Sequence, residues 1–420
     1  MDRIFIIGGS KLTGEVEISG SKNAVLPIMA GTLIQEGVYT IRNIPILMDV
    51  LTMAEVLKNL GAKINFEGNS VTIDTRGQVG YEAPYELVKK MRASYYVLGP
   101  LVSRLKRARV SLPGGCVLGP RPVDLHIRGL KSLSVNIDIV NGYIEASCEK
   151  IIGNTIYLEG EKGPSVGATI NTIFAATRCE GETIINGAAI EPEVVDVVNF
   201  LKKMGAKIEG EGTKVIKIKG VKELNPTDYE VIPDRIEAGT FLAAAMATGG
   251  ELTLKNVIPE HLHTVLDKLK ESGAKIYIDK NSIRINGENG LKPIDIIVGP
   301  YPEFPTDLQP QFTSMLLKAD GLSMVKETIF ENRFMHIPEL IRMGADIKIN
   351  DDTAIIKGGN SIKGAPVMAS DIRCGAALII AGLIANGETS ISRVYHIDRG
   401  YENIDKKLEK LGAKIWRVRE

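Results

Sequence analysis

An excess of charge of either sign is missing from this chain. Its 51 Lys and Arg stand against 51 Asp and Glu in 420 residues. No overall field therefore draws it to nucleic acid or to an anionic membrane, and any anion it binds must be held by a local cluster of cations. Cysteine is scarce as well. Cys116, Cys148, Cys179 and Cys374 show no C-x-x-C spacing, so neither a zinc site nor a disulfide framework is indicated. Cys148, Cys179 and Cys374 lie in or beside apolar stretches and read as small buried hydrophobes. Long hydrophobic runs are also lacking. MDRIFIIGGSKL has four consecutive apolar residues before Gly8, too few for a signal peptide, and CGAALIIAGLIANG at 374–387 is too short to span a bilayer. A cytoplasmic protein with no membrane insertion is expected. The 44% hydrophobic and 24% charged residues are those of an ordinary globular protein, long enough for two or three domains.

What the chain does have is a repeat. LKNLGAKI at 57–64 returns as LKKMGAKI at 201–208, KLKESGAKI at 268–276, LIRMGADI at 340–347 and LEKLGAKI at 408–415. Each reads as the end of an amphipathic helix, a glycine C-cap and a strand. The gaps between the glycines are 144, 68, 71 and 68 residues. The first is double, which places a degenerate sixth copy near residue 133, where HIRGLKSLSVNIDI makes the same helix-to-strand change without the glycine. Each unit also carries a helix rich in small and apolar residues all round, as in RIEAGTFLAAAMATGG, so these helices are expected to be buried. The strands alternate, as in KVIKIKG, and suit sheets with one face on helices and one in solvent. An α/β (α+β) fold of two domains with three units each is favoured over a single ring. The first domain spans 21–230. The second joins 1–20 to 231–420, with the early strands completing it.

Chemistry gathers at the starts of the six buried helices. They offer Lys22 and Asn23, Arg92, Ser165, Asp234 with Arg235, Asp307, and Asp371 with Arg373. Helix N-termini bind anions, because their first N–H groups are unpaired. The plain alternative is that Ser165, Asp234, Asp307 and Asp371 are N-caps and the cations are solvated. Lys22, Arg92 and Arg373 carry the wrong sign for a helix start, a conflict that a bound anion removes. Arg121, Arg333 and Arg399 stand in a second set of turns, and arginine grips phosphate or carboxylate through two nitrogens. In SLPGGCVLGPRPVDLHI at 111–127, Cys116 sits between glycines on a segment that reads as a lid, with Arg121 close by.

GSKNAVLP, MRAS, the loop around Cys116, SVGAT, FPTDLQPQ, IFENRF and DIRCGAAL with IDRGYE together resemble the enolpyruvyl transferase family, from end to end. The resemblance implies two inverted barrel-like domains of βαβαββ-type units with the active site in the cleft between them. It implies transfer of the enolpyruvyl group from phosphoenolpyruvate to the 3′-hydroxyl of UDP-N-acetylglucosamine, with release of phosphate and no metal or cofactor. On that basis the catalytic residues are Cys116, Asp307, Lys22 and Arg399. Cys116 is the acid that protonates C3 of phosphoenolpyruvate, Asp307 the base for the sugar hydroxyl, and Lys22, Arg121 and Arg399 the holders of phosphoenolpyruvate. Substrate contacts fall to Asn23, Arg92, Arg121, Pro122, Val123, Asp124, Leu125, Ser165, Val166, Gly167, Asp307, Ile329 and Arg333. Lys162 keeps its spacing before Ser165, although Gly163 and Pro164 alter the loop. Asp371 and Arg373 are expected to support Arg399, and His126 to orient its loop. Pro122 is expected to open a helix, aiming the N–H groups of Val123 and Asp124 at the nucleotide. An electrophilic mimic such as the epoxide fosfomycin would alkylate Cys116 first. A monomer is favoured. Other readings are a sister enolpyruvyl transferase acting on shikimate 3-phosphate and a silent paralogue that binds UDP-N-acetylglucosamine.

Overall fold

The computed structural model describes residues 2–89, 91–112 and 123–419, with the backbone alone at Arg92. Cys116, Arg121 and Pro122 lie outside the described residues. Among those residues the strands form six four-stranded sheets on one plan. Tyr229–Glu230 runs parallel to Val38–Arg42, which pairs antiparallel with Ser70–Asp74, which in turn pairs antiparallel with Lys63–Glu67. Alternating burial along these strands sets one face of each sheet on the core and the other in solvent. A small hairpin, Glu159–Gly160 with Gly163–Pro164, stands apart from them.

Contacts divide the described residues into two compact units, one of 20–232 and one of 2–19 with 233–419. Two sheets of the latter take a strand from the start of the chain. Arg3–Ile7 lies between Glu388–Ser392 and Lys414–Val418, and Thr13–Glu17 runs parallel beside Glu251–Lys255. Each unit has its own hydrophobic core. In one, the helices Leu98–Leu105 and Val166–Ala176 pack together, and Lys22–Gly31 packs on the turn Arg92–Val97. In the other, Arg235–Thr248, Gln309–Leu316 and Ile372–Ile384 are mutually packed. These helices are buried almost all round, in keeping with their small and apolar composition.

The repeat glycines owe their place to backbone geometry. Gly61, Gly205, Gly273, Gly344 and Gly412 all have φ between 94° and 106°, the left-handed region that side chains disfavour. Each donates its N–H to the carbonyl three residues back, and the next residue reaches five back, so the helix end is closed twice. The sixth copy makes the same closure with Ser134 at φ 65°, bonding to Lys131 O, while Val135 bonds to Leu130 O. The degenerate unit thus keeps the turn and lacks only the residue that suits it.

The two places where the chain passes from one unit to the other are pinned from both sides. Ser21 N donates to Ile232 O at 2.7 Å, and Asp234 N donates to Ser19 O at 2.9 Å. In the 20–232 unit, buried Asp196 accepts from Tyr229 Oη at 2.6 Å and from Ile232 N at 3.3 Å. In the other, Glu237 accepts from Ser19 N and from Lys407 Nζ, each at 2.7 Å. Cys179 and Cys374 are buried thiols, whereas Cys148, just past the strand Tyr143–Ser147, is only half-buried, which corrects its reading as a core residue. No helix among the described residues is long and apolar enough to cross a membrane.

Candidate active site

In the unit of 2–19 and 233–419, three distant stretches meet at Asp307. The FPTDLQPQ segment turns through a short 3-10 stretch, Thr306–Leu308, before the helix Gln309–Leu316. Pro305 stands at the cap position, so Asp307 is not an N-cap. Its carboxylate is instead held between two arginines. Arg333 Nη2 meets Oδ1 at 2.7 Å and Arg373 Nη2 meets Oδ2 at 2.8 Å. The arginine side chains are 3% and 5% exposed, while that of Asp307 is 29% exposed. The acid is thus the wet end of a dry ion triad. Burial works against the charge of Arg373, but Asp307, Tyr401 and Asp234 together outweigh it and hold the guanidinium pKa above its usual value.

The surroundings of the triad are tied down as well. Arg333 also donates to Thr306 O, through Nε at 3.2 Å and Nη2 at 3.0 Å. Buried Glu327 accepts from Thr306 Oγ1 at 2.9 Å, Ile329 N at 2.8 Å and Phe330 N at 3.1 Å, so it links the Asp307 segment to Ile329. Burial raises its pKa against the pull of those donors. Asp371 caps its helix, accepting from Arg373 N at 2.8 Å and Cys374 N at 3.1 Å, which settles the charge conflict at that helix start. The turn that bears Arg399 docks closely on this helix. A β-carbon at Gly400 would lie 2.3 Å from Ile372 Cγ2, and one at Gly375 2.4 Å from Ile397 Cγ1, so only glycine permits the contact. Arg373 was expected to support Arg399; its side chain instead donates to Asp307 and to Tyr401 Oη, the latter at 3.2 Å. Arg399 is half-buried on the same turn, beside His396, whose pKa is lowered by burial and then by Arg399.

In the 20–232 unit the charges are arranged differently. Lys22 opens its helix buried, with Nζ 3.6 Å from Asp49 Oδ2, and Asn23 follows half-exposed. Arg92 begins the 3-10 stretch that leads into Leu98–Leu105. Ser165 caps the helix Val166–Ala176 through Ala168 N at 3.3 Å, with Val166 and Gly167 half-buried in its first turn. Lys162 is exposed at the turn between Glu159–Gly160 and Gly163–Pro164. The helix Asp124–Ser132 has Val123 at its cap, so it starts later than a Pro122 opening implies. Asp124 is exposed, whereas Leu125 is buried in the core, so its side chain faces away from solvent.

His126 is fixed on this helix. Asn171 Oδ1 accepts from Gly99 N at 2.8 Å, which identifies Asn171 Nδ2 as the amide nitrogen facing His126 Nδ1 at 3.1 Å. That nitrogen is therefore an acceptor and the ring carries its proton on Nε2. The imidazole lies against Gly167, where a β-carbon would come within 3.0 Å of Cε1, and edge-on to Tyr95. Sequence reasoning singled out neither Asp49, Asn171, Glu327, Gln311 nor Tyr401. Two of them lay in quoted motifs, Gln311 in FPTDLQPQ and Tyr401 in IDRGYE, and a polar residue within a mostly apolar helix was the signal for Asn171.

The chain has close relatives among known proteins. A family model described as EPSP synthase (3-phosphoshikimate 1-carboxyvinyltransferase) matches residues 6–408. The UDP-N-acetylglucosamine 1-carboxyvinyltransferase of Desulfosudis oleivorans is 52% identical over 418 residues, covering 100% of both chains. That of Thermodesulfovibrio yellowstonii is 52% identical over 420 residues, again covering 100% of both. Among solved structures, the enolpyruvyl transferase NikO from Streptomyces tendae superposes with a TM-score of 0.90 at 24% identity, covering 99% of each chain. EPSP synthase from Acinetobacter baumannii gives 0.77 at 19% identity over 100% of each. The architecture is the EPSP synthase-like fold, mixed α/β with repeated four-stranded sheets.

Proposed function

The chain belongs to the EPSP synthase family of enolpyruvyl transferases, and we propose that within it this protein transfers the enolpyruvyl group of phosphoenolpyruvate to the 3′-hydroxyl of UDP-N-acetylglucosamine, releasing phosphate. This is the first committed step of peptidoglycan synthesis. The observation that carries the reading is identity of 52% across the whole chain with carboxyvinyltransferases named for that acceptor. The sugar oxygen bonds to C2 of phosphoenolpyruvate while C3 takes a proton. Phosphate then leaves from C2 as C3 gives a proton back, restoring the double bond.

Asp307 is the base for the sugar hydroxyl. Its partial exposure leaves it accessible, and the paired arginines fix its two oxygens so that the remaining lone pairs point in set directions. Lys22, Arg121 and Arg399 hold the phosphate and carboxylate of phosphoenolpyruvate, where negative charge must be stabilised as phosphate departs. Cys116 delivers the proton to C3; a thiol beside cations is a competent acid and a strong nucleophile. The start of the Val166–Ala176 helix, with Ser165 and Gly167, and that of the Asp124–Ser132 helix offer N–H groups to the anionic nucleotide. His126 orients Gly167 through packing and does not react. Asn23, Arg92, Lys162 and Ile329 complete the acceptor contacts.

Phosphate release is the test. With phosphoenolpyruvate present, UDP-N-acetylglucosamine is expected to trigger turnover and shikimate 3-phosphate to give none. Release with shikimate 3-phosphate alone would assign the chain to the sister reaction, and release with neither would remove the activity.

A further inference from the structure

We infer that Tyr401 is a positioning residue for this reaction, holding Arg373 against Asp307 and thereby aiming the base; the inference rests on the proposed role of Asp307. Tyr401 is 2% exposed and its hydroxyl touches three polar groups: Arg373 Nη1 at 3.2 Å, Gln311 Nε2 at 2.9 Å and Thr240 Oγ1 at 2.9 Å. The direction of each bond follows from the donors. Arg373 Nη1 and Gln311 Nε2 can only donate, so the phenolic oxygen accepts from both and its proton goes to Thr240. Thr240 in turn donates to Ile236 O at 2.8 Å. The orientation of Gln311 is likewise fixed, because Nε2 also lies 2.8 Å from Asp307 O, an atom that only accepts.

Tyr401 is therefore the hub of a buried network that grips Asp307 twice. One arm runs through Arg373 to the carboxylate, and the other through Gln311 to the main-chain carbonyl of the same residue. The network also joins two functions. Tyr401 follows Arg399 by two residues on the turn that Gly400 and Gly375 allow to dock, so the cation for phosphoenolpyruvate and the base for the acceptor share one rigid support. Tyr401→Phe keeps the ring and removes the acceptor that Arg373 Nη1 uses, stranding a guanidinium N–H in a dry pocket, whereas Gln311 Nε2 still has Thr240 Oγ1 at 3.2 Å. Arg373 is then free to leave Asp307.

The experiment compares wild type with Tyr401→Phe in the complete chain, following phosphate release with phosphoenolpyruvate and UDP-N-acetylglucosamine. The expected result is a fall in kcat of about tenfold or more with KM for UDP-N-acetylglucosamine changed less than about threefold, the signature of a lost transition-state alignment. The acid limb of the kcat profile is also expected to move to higher pH, because a carboxylate that loses a guanidinium holds its proton more readily. An unchanged kcat, or a loss confined to KM with the pH profile unmoved, would overturn the inference. If the Phe variant does not fold, Thr240→Val removes the acceptor of the Tyr401 proton and carries the same test with the same two outcomes. Absence of turnover in the wild type would count against the proposed activity instead, so the two failures are distinguishable.

Discussion

The unit of 20–232 and the unit of 2–19 with 233–419 are built from one repeat, yet they place charge at their helix starts by different means. In the first, Lys22 pairs with Asp49 at 3.6 Å, and Ser165 caps the helix Val166–Ala176. In the second, Asp307, Arg333 and Arg373 form a dry triad braced by Tyr401, Gln311 and Glu327. The scaffold supplies the same sheets and buried helices to both. What distinguishes them is the pairing that is seen: a lysine with one acid in the first, and an acid held between two buried arginines in the second. An acid held at both oxygens suits the base proposed for Asp307, which must be aimed.

The sharpest way to break this comparison is to empty the triad. Asp307→Asn is expected to lower kcat by about a thousandfold while leaving UDP-N-acetylglucosamine binding by calorimetry largely intact; retention of activity within tenfold would deny the base. Next in size is Cys116→Ala, expected to cut turnover near neutral pH by about a hundredfold, the usual worth of a general acid. Steady-state phosphate release measures both.

A third prediction separates the units by pH. Burial pushes Asp196 up to about 7 in one unit, and burial pushes His336 down to about 4 in the other. The folded 20–232 unit therefore holds a proton on Asp196 that the unfolded chain releases near pH 4. Its contribution to stability is fully present below about pH 4 and is lost as pH rises through about 7. The folded partner unit keeps His336 neutral, so its contribution is present above about pH 6.5 and is lost as pH falls toward 4. Thermal unfolding between pH 4 and pH 8 should show Asp196→Asn stabilised by about 4 kcal/mol relative to wild type at the alkaline end and equal to it at the acid end. His336→Gln should show the reverse pH dependence. Parallel curves for wild type and both variants would refute the assignment.

The smallest effect concerns the degenerate repeat. Ser134 is exposed and left-handed where its five counterparts are glycine, so Ser134→Gly is expected to stabilise by about 0.5 kcal/mol, the strain relieved less the added chain entropy. The denaturant midpoint measures it, and a lower midpoint would contradict it.

That position also shows how far the sequence could be read. The spacing of the glycines located six units, including the one without its glycine, because a left-handed helix end is a local demand that each repeat must meet with local residues. The buried helices were legible for the same reason, since their composition is apolar all round. The polarity of the helix starts was legible too, but its use was not. Asp307 could be taken for an N-cap because capping is local, whereas its true partners lie 26 and 66 residues away and are brought to it by packing. Tyr401 and Gln311 were hidden for that reason, and Asp49 as the neighbour of Lys22 likewise.

The most direct test of the central claim is to identify the product. Incubated with phosphoenolpyruvate and UDP-N-acetylglucosamine, the protein should convert the sugar nucleotide to one bearing an enolpyruvyl ether on the 3′-oxygen, with one phosphate released per product, as read by NMR and mass spectrometry. Phosphate release without that ether, or an ether on another oxygen, would contradict the account.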